Sequence, residues 1–135
     1  NKKFINKLMK QINSGKKELF VVNDKDGTPT YTHDFALTVK ELLSKEYWGL
    51  YNCVCQGQTS RLEVAKELIK ILNLNDVITI NEVSSKFFKK EYFAKRPPSE
   101  RLINKKLELR GINEMKDWKS ALREYLKNYY LDYLK

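Results

Sequence analysis

The chain has 135 residues, 41% of them hydrophobic and 32% charged, which suits one ordinary domain and excludes a collagen-like or low-complexity polymer. Twenty-six Lys and Arg stand against 17 Asp and Glu, a formal charge of +9, and a surplus of that size raises the question of an anionic partner. No apolar run approaches the roughly 18 residues of a membrane span, and no signal-peptide pattern precedes the first helical stretch after Asn1. The expectation is a cytoplasmic chain without membrane contact, whose defining chemistry lies upstream of its first residue.

Phe4, Ile5, Leu8, Met9 and Ile12 recur at helical spacing and predict an amphipathic helix over 3–14 that Gly15 stops. Residues 18–22, Glu-Leu-Phe-Val-Val, read as a strand. A turn-rich loop over 23–30 follows, with Asp26-Gly27 and Pro29 as its punctuation. Tyr31 and Thr32 read as a short strand, and Asp34 as the cap of a helix running through Ala36, Val39, Leu42 and Leu43 to about residue 45, with Gly49 closing the segment. Residues 50–55 are nearly all apolar or neutral and predict a second strand, interior to a sheet.

Either Ser60 with Glu63 in a capping box, or Thr59 as the cap, starts a helix carrying Val64, Ala65, Leu68, Ile69 and Leu72. Residues 77–80 predict a third strand, and Ser84 or Ser85 a short helical turn. A helix over about 104–109 ends at Gly111, and Asp117 caps a last helix with Trp118, Ala121, Leu122, Tyr125, Leu126 and Tyr129 on one face. The alternation of strands and helices places the chain in the α/β or α+β class.

Cys53 and Cys55 are the only cysteines and His33 the only histidine. Strand residues two apart share a face and rarely bridge, so the thiols are expected free and buried. Four metal ligands cannot be assembled from this set, so no metal is expected. The five glycines at 15, 27, 49, 57 and 111 are scattered, so no phosphate-cradling Gly-rich turn is present. There is no Tyr-x-x-x-Lys pair and no nucleophile elbow. No catalytic or cofactor-binding residue is therefore assigned within this chain.

Charge is concentrated between Lys86 and Arg110, where nine Lys or Arg face three Glu and Phe87, Phe88, Tyr92 and Phe93 are interleaved. Basic plus aromatic suits nucleic acid, and it equally suits a nucleoside diphosphate. Arg96, ahead of Pro97 and Pro98 in a stiff loop, offers a bidentate fork to phosphate oxygens.

Four stretches in order resemble one family. Asp24-Lys-Asp-Gly-Thr-Pro-Thr-Tyr-Thr-His-Asp34 is similar to the D-Q-x-G-x-P-T-Y-x-x-D segment of dTDP-4-dehydrorhamnose reductases. Gly49-Leu-Tyr-Asn-Cys-Val-Cys-Gln-Gly57 is similar to their G-x-Y-x-x-x-x-x-G stretch. Arg96-Pro-Pro-Ser-Glu-Arg-Leu102 with Lys105 looks like R-P-x-x-S-x-L-x-x-x-K, and Trp118 with Ala121 and Leu122 matches the closing W-x-x-A-L. Lys25 departs from the family's glutamine.

The resemblance implies an α/β fold, the C-terminal part of an extended short-chain dehydrogenase/reductase: a Rossmann-like NAD(P)-binding fold with a small substrate domain, its nucleotide-binding half absent from this chain. It implies that NADPH or NADH and the catalytic pair belong to that missing N-terminal half. The substrate would be a nucleotide-diphosphate sugar, reduced at its keto carbon. By carry-over, Arg96 meets the diphosphate with Ser99 supporting its loop, while Lys25, Thr28 and Thr30 border the cleft. Residues 1–14 and 34–55 are expected to pack on the missing half, or a homo-oligomer to cover them. The runner-up is a non-catalytic regulatory subunit of the same fold, like the regulatory subunit of methionine adenosyltransferase; a nucleic-acid module ranks third, and no nucleic-acid partner is expected.

Overall fold

The computed structural model describes residues 4–88, 97–130 and 132. Helix α1 (Phe4–Asn13) leads through Gly15, at φ +81°, into strand β1 (Glu18–Val22). Helices α2 (Thr32–Ser44) and α3 (Arg61–Ile71) follow, then β2 (Thr79–Val83) and a 3-10 turn over Ser85–Phe88. A short α4 (Lys105–Leu109) and the closing α5 (Trp118–Tyr129) complete the order. The mixed α/β class is as expected.

β1 and β2 run parallel, in register from Glu18 opposite Thr79 to Val22 opposite Val83. Parallel neighbours need a crossover, which the stretch containing α2 and α3 supplies. Strand alternation sends Leu19 and Val21 inward and leaves Phe20 on the outer face, where its ring stacks on Phe87 at 5.2 Å. α3 lies on both strands and against α5. Its Val64, Ala65, Leu68 and Ile69 meet Trp118, Ala121, Leu122 and Leu126 of α5 in one core, with Leu8 and Met9 of α1.

The caps form as their chemistry requires. Ser60 Oγ accepts from the Glu63 amide at 3.2 Å, and the Asp117 carboxylate accepts from the amides of Lys119 and Ser120.

Four expectations need correction. The residues 50–55 form no strand: their backbone is held by side chains and loops rather than by a neighbouring strand, and Leu50 is 87% exposed. The third strand starts at Thr79, because the Val77 and Ile78 amides are used by a turn closing on the Leu74 carbonyl. Tyr31 and Thr32 are the N-cap and first residue of α2, not a strand. Asp34 does not cap α2; it is buried in the first turn, in an ion pair. The end of α2 agrees with the expected limit near residue 45: it closes at Ser44, ahead of Glu46 in the left-handed region at φ +53°.

Candidate functional site

Asp26 is where three distant segments cross. Its amide donates to the Pro98 carbonyl at 2.8 Å, and its own carbonyl accepts from Glu100 at 3.0 Å. Next to it the Gly27 amide donates to Thr59 at 3.1 Å. The loop over 23–30 is thus pinned between the approach to α3 and the stretch that follows Arg96. At its start, the Asp24 carboxylate accepts from the Ser85 amide and hydroxyl, and the Ser85 amide above all holds its pKa below the usual carboxylate value, with Lys25 assisting against desolvation.

Two hollows open beside this crossing. The larger, of about 530 Å³, is bounded by Thr28, Gln56, Gly57, Gln58, Ser99, Arg101 and Asn104 with apolar flanks from Val54, Leu102 and Ile103. The smaller, of about 380 Å³, is bounded by Asn23, Asp26, Gln58, Ser60, Glu63 and Arg101. Arg101 and Gln58 belong to both. Apolar flanks with a few convergent donors and acceptors, as in the larger hollow, suit a small polar ligand.

Of the expected site residues, Thr28 and Ser99 meet in the larger hollow, with the Thr28 hydroxyl 3.4 Å from the Gly57 carbonyl. Lys25 and Thr30 sit on the same loop but line neither hollow. Arg96, and with it Tyr92 and Phe93, lies outside the described residues. Gln56, Gln58, Arg101 and Asn104 were missed as site residues. Polar glutamines on both sides of a glycine, directly after an apolar stretch, were the signal for the first two. Aligned on Arg96-Pro97 and Leu102, the motif's serine position falls on Glu100 and its lysine on Lys106. Lys106 anchors the 50–55 segment: its Nζ donates to the Leu50 carbonyl at 3.1 Å and lies 4.6 Å from the Tyr51 ring centre.

A second polar cluster sits at the start of α2. His33, Asp34 and Glu124 bring their donor atoms within 4.8 Å of one another. Lys116 Nζ already bonds Asp34 at 3.0 Å and Glu124 at 2.7 Å, so an ammonium fills the place a cation would take. Glu124 first, then Asp34, raise the Lys116 pKa, and Lys116 lowers that of Glu124. Burial raises both thiols, Cys53 and Cys55, so neither is an activated nucleophile. Among the described residues, Gly27 is the one glycine between a strand and the next helix, so no Gly-rich strand-to-helix turn is formed there.

The family described as the RmlD substrate binding domain matches residues 1–131. The chain belongs to that family. The spore coat polysaccharide biosynthesis protein SpsK of Bacillus subtilis is 34% identical over 122 residues, covering 88% of this chain and 40% of SpsK. The solved dTDP-4-dehydrorhamnose reductase of Clostridium acetobutylicum is 30% identical with a TM-score of 0.82, over 92% of this chain and 43% of that one. Its counterpart from Yersinia enterocolitica is 25% identical with a TM-score of 0.85, over 96% and 44%. The Bacillus anthracis enzyme, solved in complex with NADP, shares the fold at 24% identity and a TM-score of 0.84, over 95% and 44%. This RmlD-type chain therefore spans about two fifths of the length of the relatives it matches, and it is the part that resembles a sugar-nucleotide reductase's substrate-binding portion. No described helix is long and apolar enough to cross a membrane.

Proposed function

We propose that this chain is the substrate-recognition portion of an NAD(P)H-dependent reductase of nucleotide-linked sugars, similar to dTDP-4-dehydrorhamnose reductase. The observation that carries the reading is the cleft where the family-like loop over 24–30 meets Gln56–Gln58 and the stretch from Ser99 to Asn104. Ser99, Thr28 and the glutamine amides offer hydrogen bonds to hydroxyls, and Arg96 supplies the charge for the diphosphate. In this reading the cofactor and the catalytic groups come from a further portion of polypeptide, since this chain spans only about two fifths of the relatives it matches.

That further portion also packs on residues 34–55. Phe35, Leu37, Leu43, Trp48 and Leu50 are between 44% and 87% exposed along this stretch, an apolar area that a lone domain rarely leaves open. α1 already commits Leu8 and Met9 to this chain's own core, so the contact of residues 1–14 is the smaller part of this reading.

Calorimetric titration of the full-length polypeptide with a dTDP-sugar, and separately with a single-stranded oligonucleotide, tests the reading. Saturable binding of the sugar nucleotide is expected, weakened by about 1.5–3 kcal/mol in Arg96→Ala. Oligonucleotide binding without a sugar-nucleotide response would overturn it, and sugar-nucleotide binding without reductase activity would favour a regulatory subunit.

A further inference from the structure

Arg101 holds three segments at once. Its Nη1 donates to Gln58 Oε1 at 3.0 Å, its Nε donates to Ser99 Oγ at 3.2 Å, and its Nη2 lies 3.6 Å from Asp26 Oδ2. These partners come from the loop after β1, the approach to α3 and the stretch preceding α4. The guanidinium's donors lie in one plane at fixed angles, so bonding Gln58 and Ser99 while facing the Asp26 carboxylate orients these groups relative to one another. An ammonium on a flexible stem imposes no such geometry.

The side-chain knot lies over the backbone crossing at Asp26, and Arg101 stands in the wall shared by both hollows. The ion pair itself adds little stability: the Arg101 and Asp26 side chains are 41% and 44% exposed, and the distance is long. What the arrangement supplies is registration between the loop and the opposite wall. We infer that Arg101 is a positioning residue that couples the Asp24–Thr30 loop to Gln58 and Ser99 and so sets the shape of the cleft. Its effect on ligand rests on the sugar-nucleotide reading above.

Hydrogen–deuterium exchange on the full-length polypeptide, with peptides covering 24–30 and 98–101, tests the coupling without any ligand. Arg101→Ala and Arg101→Lys should both speed exchange there by about tenfold, while β1 and α3 keep their protection. Titration with dTDP-rhamnose should then show binding about five- to thirtyfold weaker in both variants, as small displacements of positioning groups produce. Unchanged exchange in Arg101→Ala overturns the inference whatever the ligand does. Full recovery of binding by Arg101→Lys also overturns it, since that result marks a simple charge contact. Faster exchange in the variants, with no dTDP-rhamnose binding even by the wild type, supports the coupling and removes the sugar-nucleotide reading instead.

Discussion

The side chain of Asn104 pairs with the backbone of Val54 as a neighbouring strand would: its Oδ1 accepts from the Val54 amide at 3.0 Å and its Nδ2 donates to the Val54 carbonyl at 2.7 Å. Nδ2 also reaches Asn113 Oδ1 at 3.1 Å, and the residue is 3% exposed. Asn104→Ala removes both partners of a half-buried peptide group. Urea denaturation should show a loss of about 2–4 kcal/mol, since each orphaned buried group costs roughly 1–3 kcal/mol. A loss below 0.5 kcal/mol, on the order of a neutral surface change, would mean water replaces the amide without penalty.

Lys116 gives the fold a pH dependence at both ends. Its pKa is raised above 10.5, so the stability it contributes is complete below that value and is lost as pH rises through the folded-state pKa. Glu124 is lowered below 4.5, so its contribution is present above that value and is lost as pH falls through its folded-state pKa. The contribution of this pair should therefore be level between these limits. Lys116→Met should destabilise by about 2–4 kcal/mol at pH 7, because it strands the buried Asp34 carboxylate. Preserved stability in that variant would contradict the pairing.

Gly57 takes φ +90°, and a Cβ placed there would stand 3.1 Å from Cδ1 of Trp118. Gly57→Ala meets both a left-handed backbone and the edge of a buried indole. A loss of about 1–3 kcal/mol in thermal denaturation is expected, together with weaker ligand binding, because Gly57 lines the larger hollow.

The thiols are expected to be slow. With Cys55 buried, Cys53 half-buried and both pKa values raised by burial, iodoacetamide at pH 7.5 should label the native chain at least about tenfold more slowly than after unfolding in urea. Native labelling of Cys53 at the unfolded rate would show that the 50–55 segment opens freely.

Local chemistry was legible wherever the partner was close in sequence. The Ser60 and Asp117 caps, strand β1 and most of the apolar face of α5 depend on residues within a turn or two and formed as read, with Tyr129 left exposed at the end of that face. The 50–55 segment misled because its apolar run reports burial potential, not the identity of the neighbour. Asn104, Lys106 and the Pro29 carbonyl hold it, from as far as 56 positions away. Asp34 misled for the same reason: its partner Lys116 stands 82 positions later, and no local pattern announces that pair. Thr28 lies on a loop whose motif aligns without a gap, whereas Ser99 stands one position before the motif's serine, and the contacts of Gln58 and Arg101 depend on a crossing visible only in three dimensions.

The segment over 50–56 carries one more consequence. It is tied down at Leu50 by Lys106, at Asn52 by the Ile103 carbonyl, at Val54 by Asn104 and at Gln56 by the Lys116 carbonyl. Its conformational entropy is thus surrendered during folding of this chain rather than at the moment of docking. A surface arriving at Leu50 would meet a pre-ordered segment, so less of its contact energy is spent on ordering this side. The same pre-ordering makes the exposed face adhesive: at high concentration, copies of this chain should self-associate through Trp48 and Leu50.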